Sequence, residues 1–373
     1  MCPEPRFHPP PMQSNEKAPV RLILDITNST IDLANPGVIR VARRFSRELQ
    51  NTGSPLFVVW DAAGNRYVLP TREEYERLSR FNGPVLERLD ALSPGFWERV
   101  SLDEALERYG TGRPCLIFPE TLGALRCRLM RPYARRLGLA LAAIFHDAIP
   151  VMRPELVNPA IRLNHRDYMI GLGACDFVMP VSQFSADRLR TFWREHAVDV
   201  PVYVNWLPGE FAGGGRPAAG PGPDAPVAIL CVSTLEPRKN HLRLIDACLR
   251  LSDTRPGLNW SLTLVGDRYS GAPLLVEYVE RAAELNPRIR WLGVVDDETL
   301  GRLYSQSSFT VYPSTLEGFG MPVLESLWHA RPCLCSNRGV TAELAAEGGC
   351  LTINVEESSE LAAGIVRLIE DCD

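Results

Sequence analysis

Apolar residues in this chain come mainly in short continuous runs rather than in alternation. The first run is VRLILDI (Val20–Ile26). PLFVVW, CLIFPE, ALAAIFHD, DFVMPVS, PVAILCVST, SLTLVGD, FTVYPS and PCLCS follow. A strand with one wet face alternates apolar and polar side chains, so a continuous run predicts a strand covered on both faces. Stretches with helical spacing lie between the runs, as in VIRVARRFSRELQ after the first. Strands spaced by helices predict parallel crossovers, hence a doubly wound α/β chain. The longest run, LGLALAAIF (Leu137–Phe145), is too short to cross a bilayer and is expected to form a buried strand.

One segment breaks the rhythm. FAGGGRPAAGPGPDAP (Phe211–Pro226) is rich in Gly, Pro and Ala and predicts a linker or exposed loop. The expected layout is a disordered Pro-rich tail over 1–18, a first domain over 19–210, the linker 211–226 and a second domain over 227–373. The total of 373 residues suits two domains. Each half would carry its own sheet, with the ligand site in the cleft between them. No internal repeat is legible.

Composition narrows the classes. A net charge of −5 argues against bulk nucleic-acid binding. The first 18 residues lack the apolar run of a signal peptide. Ten cysteines without a C-x-x-C pair, most in apolar surroundings, read as buried free thiols of a reducing cytosol.

In an open parallel sheet, ligands sit beyond the carboxyl ends of the strands. PVAILCVS is followed by TLEPRKNH. Arg238 and Lys239 there are either a cation pair aimed at a diphosphate or solvated loop charges. Asn240 or a neighbour is expected to cap the next helix. FTVYPS is followed by TLEGFGMPVLES. Pro322 fits a first helical turn, and Gly318 and Gly320 leave backbone uncovered just ahead of it. Amides at such a helix start favour an anion. Glu317 precedes the helix and Glu325 lies about one turn inside. Carboxylates so placed suit the hydroxyls of a sugar or ribose. A bare E-x7-E arises by chance, so the whole motif carries the argument. His146, at a strand end, is either a cleft residue or a structural one oriented by Asp147. No second histidine lies at metal-ligand spacing. Ser182 and Ser185 are expected to be helix caps. LRCRLMRPYARR (Leu125–Arg136) concentrates five arginines, either as a solvated face or as a contact for an anionic membrane or lipid-linked diphosphate.

Taken together, TLEPRKNH, EGFGMPVLES and SNRGVTAEL resemble the donor-binding half of retaining GT-B glycosyltransferases of family four. Their order and spacing match over residues 227–345. NPGVIRVARRF (Asn35–Phe45), FHDAIP (Phe145–Pro150) and PVSQFSADRL (Pro180–Leu189) resemble the same family more weakly. HDAIP points to the branch of bacterial mannosyl- and rhamnosyltransferases for surface polysaccharides. The resemblance implies a GT-B fold, with two Rossmann-like domains facing a central cleft. Arg238 and Lys239 would bind the donor diphosphate. Glu317 would hold the donor sugar hydroxyls, and Glu325 the ribose. Gly318, Phe319 and Gly320 would offer backbone contacts, while Met321, Pro322 and Val323 start the helix under the phosphates. Gly37 would let backbone approach the phosphate or acceptor, and His146 would face the reacting sugar.

The implied reaction is metal-independent hexosyl transfer with retention. It needs no cofactor beyond the nucleotide-sugar donor, GDP-mannose first and dTDP-rhamnose or a UDP sugar second. The acceptor would be a glycan or lipid-linked oligosaccharide, met in the cytoplasm with peripheral contact at the inner membrane face. Serine at position 233 stands where many relatives carry glycine. Such enzymes usually finish with a helix crossing back onto the first domain. ELAAGIVRLIEDCD ends before one, so the expectation is either that this helix is missing from the sequence or that the chain is one module of a longer protein, with a further module or partner there. Rival readings are a nucleotide-sugar epimerase and a non-catalytic transferase-like scaffold.

Overall fold

The computed structural model of the chain describes residues 20–33, 35–86, 99–109, 113–157, 159–209 and 226–370. The Pro-rich tail and most of the expected linker, 211–225, lie outside these residues.

The first sheet contains β1 (Val20–Asp25), β2 (Leu56–Asp61), β3 (Arg66–Val68), β4 (Arg113–Phe118), β5 (Ala140–Phe145) and β6 (Phe177–Pro180). Its strand order is β3-β2-β1-β4-β5-β6. The second contains β7 (Val227–Val232), β8 (Trp260–Val265), β9 (Ile289–Trp291), β10 (Phe309–Tyr312), β11 (Cys333–Ser336) and β12 (Cys350–Ile353). Its order, β12-β11-β10-β7-β8-β9, repeats the first when read from the other edge. Both are the doubly wound 3-2-1-4-5-6 arrangement, which opens a crevice where the winding reverses. The reversal lies between β1 and β4 in one sheet and between β7 and β10 in the other. The architectural repeat left no trace that could be read in the sequence, because it is one of topology.

Two expectations need correction, and two strands went unread. β3 pairs antiparallel with β2, through Val59 opposite Val68, so one edge of the first sheet departs from parallel winding. The run from Leu137 is not all strand. Gly138, at φ +64°, ends the preceding helix, and β5 begins only at Ala140. The short strands β9 and β12 carry too few consecutive apolar residues to stand out in RIRW and CLTI.

Each sheet has its own core. Ile23, Leu116, Leu141, Phe145 and Val178 anchor the first, and Ile229, Leu262, Leu264, Val311 and Leu334 the second. A smaller cluster joins them. Ile144 and Val181 of the first half pack with Tyr312, Phe319, Val323, Val340 and Leu344 of the second. This apolar seam holds the carboxyl ends of the two sheets together, which is what positions the site.

The first loop is fixed from below. Buried Arg43, on the Gly37–Thr52 helix, donates to the carbonyls of Ser29 (3.2 Å) and Asp32 (2.9 Å) and to Asn35 Oδ1 (3.0 Å). Glu120, just past β4, accepts from the backbone N–H of Asn28 and Ser29 at 2.7 and 2.8 Å. Burial, aided by nearby Asp25, pushes its carboxyl up to about 7. The arginine-rich segment forms the Ala124–Leu137 helix, with one arginine buried and three in ion pairs on the surface. Arg126 is buried against Asp25 at 2.9 Å; Arg128, Arg131 and Arg136 pair with Asp167, Asp176 and Asp103.

Candidate functional site

β7 and β10 are hydrogen-bonded neighbours in the second sheet. The loops that follow them therefore emerge side by side at the switch point. After β7, Pro237–Lys239 make one 3-10 turn, and Asn240 takes a left-handed conformation (φ +63°) before the His241–Thr254 helix. Asparagine tolerates that conformation better than most residues. It holds the N-cap position but makes no side-chain cap. Its Nδ2 donates instead to the Val355 carbonyl at 2.7 Å. After β10, Gly320 adopts φ +93° as the N-cap of the Met321–Trp328 helix, with Pro322 in the first turn. The two loops are tied by Thr315 N–H, which donates to the Arg238 carbonyl at 2.9 Å.

Arg238 and Lys239 are not solvated loop charges. Lys239 Nζ donates to Glu317 Oε1 at 2.6 Å and to the Tyr312 hydroxyl at 2.8 Å. Arg238 Nη1 lies 2.8 Å from Glu317 Oε2, and its Nε 2.8 Å from Glu236. Ser314 Oγ adds a third donor to Glu317, at 2.5 Å. Burial alone would raise the Glu317 carboxyl. The two cations and these hydrogen bonds outweigh it and hold the group at about 2. Lys239 shifts down, because burial outweighs the attraction of Glu317. The result is a dry, charge-balanced cluster just ahead of a helix N-terminus. Among the described residues, Lys239 Nζ uses two of its three donors, which leaves one N–H for an incoming anion.

Glu325 lies one turn inside that helix and is 4% exposed. Its Oε2 accepts from the Tyr304 hydroxyl at 2.8 Å, and its Oε1 pairs with Arg40 of the first half at 2.7 Å. Two other contacts bring the halves together. A Cβ on Gly37 would sit 3.4 Å from Met321 Cε; one on Gly318 would sit 2.4 Å from the His146 carbonyl oxygen. His146 is buried, with Nε2 2.8 Å from the Pro119 carbonyl. A carbonyl only accepts, so Nε2 carries the proton. Burial lowers the His146 pKa, which keeps the ring neutral. Asp147 does not orient this ring. Its Oδ1 accepts from Ile149 N–H, and Pro119 does the orienting.

Residues 226–371 match the family model described as Glycosyl transferases group 1. The likeness to this glycosyltransferase family lies in the second half of the chain. It is similar, at 26% identity over 94% of its length, to the serotype-specific mannosyltransferase WbdA of Escherichia coli, of which the match covers 42%. A stretch of 142 residues, 38% of the chain, is 34% identical to O-antigen chain mannosyltransferase B of Escherichia coli, covering 36% of that protein. The chain thus spans about two fifths of the length of these curated relatives. Among solved structures it resembles Anabaena HepE in complex with UDP, with a TM-score of 0.63 at 19% identity. That match covers 94% of this chain and 90% of the other. The apo form of the lipopolysaccharide outer core galactosyltransferase WaaB follows, at TM-score 0.59 and 13% identity, with the same coverage of both chains. At such identities the likeness is one of fold, and the fold is GT-B.

The structure brings together Gly37, His146, Arg238, Lys239, Glu317, Gly318, Gly320, Met321 and Glu325. Met321, Pro322 and Val323 open the helix, and the side chains of Phe319 and Val323 have a further part. Both side chains are buried in the seam between the halves. Ser182 caps the Gln183–Glu195 helix as expected, accepting from Ser185 N–H at 3.0 Å. Ser185 does not cap; its Oγ sits 3.0 Å from both the Gly318 and His146 carbonyls. Ser233 Oγ meets His241 Nε2 at 3.0 Å. A cavity of about 370 Å³ opens beside Glu325, bordered by Arg40, Phe45, Trp206, Leu207 and Met321. Sequence reasoning missed Arg40, Tyr304, Tyr312 and Ser314. Arg40 carried a usable signal: it stands one helical turn after Gly37. Among the described residues, no group of three His, Cys, Asp or Glu side chains is placed to hold a metal ion, and no helix is long and apolar enough to cross a membrane.

Proposed function

We propose that the chain transfers a hexosyl unit from a nucleotide sugar to a glycan or lipid-linked glycan of a bacterial polysaccharide, with retention of anomeric configuration. The reading rests on one observation: Arg238, Lys239 and Glu317 form a single buried cluster just ahead of the Met321–Trp328 helix, beside Gly318, which meets the His146 carbonyl of the other half. Two cations and a helix N-terminus suit a departing diphosphate. The anomeric C–O bond breaks and the nucleotide diphosphate takes the electron pair. The acceptor hydroxyl attacks from the same face, and its proton passes to the departing phosphate oxygen. Glu317 keeps the cations in register and turns its remaining lone pairs to the sugar hydroxyls. Glu325 takes the ribose. In this reading the cations and helix amides do the work of a metal ion, so EDTA leaves turnover intact. Strict Mg²⁺ dependence contradicts it.

GDP-mannose is the favoured donor, supported by relatives named as mannosyltransferases. The functional layout is a first domain over 19–210 on the acceptor side and a donor domain over 227–373, working at the inner membrane face. A thermal-shift screen against GDP, UDP, dTDP and their sugars tests the donor site. Nucleotide at 100 times its dissociation constant raises stability by about 2.7 kcal/mol. No shift with any of them overturns the reading. NMR of the product anomer then decides retention.

A further inference from the structure

The motif SNRGVTAEL contains one acidic residue that the transfer reading leaves without a task, Glu343. It lies on the Gly339–Ala345 helix of the second domain. Its two carboxylate oxygens accept from consecutive backbone amides of the first domain, Gln183 N–H at 2.7 Å and Phe184 N–H at 2.8 Å. These are the first two residues of the Gln183–Glu195 helix, whose first turn has no acidic side chain of its own. The first amides of a helix lack intrahelical partners and carry the positive end of its dipole. Glu343 thus supplies from across the cleft the charge that this helix start lacks. The contact does not stand alone. Ser182 Oγ, at the same helix start, donates to the Gly318 carbonyl at 2.9 Å, and Ser185 Oγ bridges the carbonyls of Gly318 and His146. One helix N-terminus is therefore bound to the second domain at two points, and one of them is the loop that carries Glu317.

We propose that Glu343 is a positioning residue: it latches the Gln183–Glu195 helix to the second domain and so sets how Gly318 and His146 meet around the donor. The purpose assigned to this closure rests on the transfer reading; the latch does not. Three variants test it in the full chain. Glu343→Ala removes the acceptor, Glu343→Asp keeps the charge on a shorter arm, and Gln183→Pro deletes one latch donor. Proline is favoured at a first helical position, and Ser182 is already extended (φ −157°, ψ 161°) as a residue before proline must be. That variant keeps the helix even if Glu343→Ala folds poorly.

Small-angle scattering should give a larger radius of gyration for ligand-free Glu343→Ala and Gln183→Pro than for the parent. The dissociation constant for the tightest of GDP, UDP and dTDP should rise about tenfold, as loss of a charge-assisted bond implies. Glu343→Asp should recover part of both effects, which a merely structural loss would not allow. Parental radius and affinity in Glu343→Ala and Gln183→Pro overturn the latch while the transfer reading stands. If the parent binds none of the three nucleotides, the transfer reading fails, and the radius alone decides the latch.

Discussion

Glu317 is the residue on which the site's charge balance turns. With both oxygens held by cations, it keeps Arg238 and Lys239 in place without a ligand. Replacing Lys239 by Ala should lower kcat/KM by roughly 2–5 kcal/mol of transition-state stabilisation, the range for truncating one partner of a desolvated charge pair. Near-parental turnover in that variant removes Lys239 from the leaving-group role. Glu317 also makes a prediction about pH. Its carboxyl is held at about 2 in the fold, against an ordinary value of 4.5. Between those values the unfolded chain binds the proton and the folded one does not, so stability falls as the solution becomes more acidic. The contribution, on the order of 3 kcal/mol, is complete above pH 4.5 and is lost as pH drops through 2. Urea unfolding of the parent and Glu317→Gln should show the largest gap near neutrality, closing over that window. A constant gap refutes the assignment.

At the scale of elements, the loop-to-helix start at Gly320 was legible because its chemistry is local. Gly-Phe-Gly ahead of Met-Pro needs a left-handed residue and then a helical first turn, and the chain takes both at φ +93°. A Cβ on Gly320 would meet nothing closer than 3.5 Å, so Gly320→Ala tests conformation rather than space. It should cost about 1–2 kcal/mol in equilibrium unfolding. A loss much above that would mean the alanine is also crowded. The runs of β1, β4, β7 and β10 were legible for the same local reason, and with them the loops they feed. What stayed hidden needs partners distant in the chain. Glu343 meets Gln183 across 160 positions, Arg40 reaches Glu325 from a helix of the other half, and His146 takes its orientation from a backbone carbonyl that no side-chain pattern announces. The arginine-rich helix is largely the solvated face that its charge suggested, but Arg126 turns inward to Asp25, a partner distant in the chain that the segment itself did not announce.

For the whole molecule, the decisive property is how closely the two sheets' carboxyl ends approach, and Gly318 measures it. An added Cβ there would lie 2.4 Å from the His146 carbonyl oxygen and 2.7 Å from Asp147 Cβ. The first of these atoms is backbone, held by a β5 end buried in the first core, so neither neighbour can simply turn away. The apolar seam that includes Phe319 would have to part instead. Gly318→Ala should therefore leave each domain's own core intact while opening the cleft. Hydrogen exchange should stay parental in the amides of β1, β5, β8 and β11. It should quicken at the start of the Gln183–Glu195 helix, whose amides depend on the second domain. Transfer activity should drop by about tenfold or more, since a misplacement near an ångström at a reacting centre costs up to about a hundredfold. Gly320→Ala, two residues away and free of that clash, should keep the slow exchange at Gln183 and Phe184. If both variants behave alike, the loop is being unfolded rather than the domains parted, and closure through Gly318 is wrong.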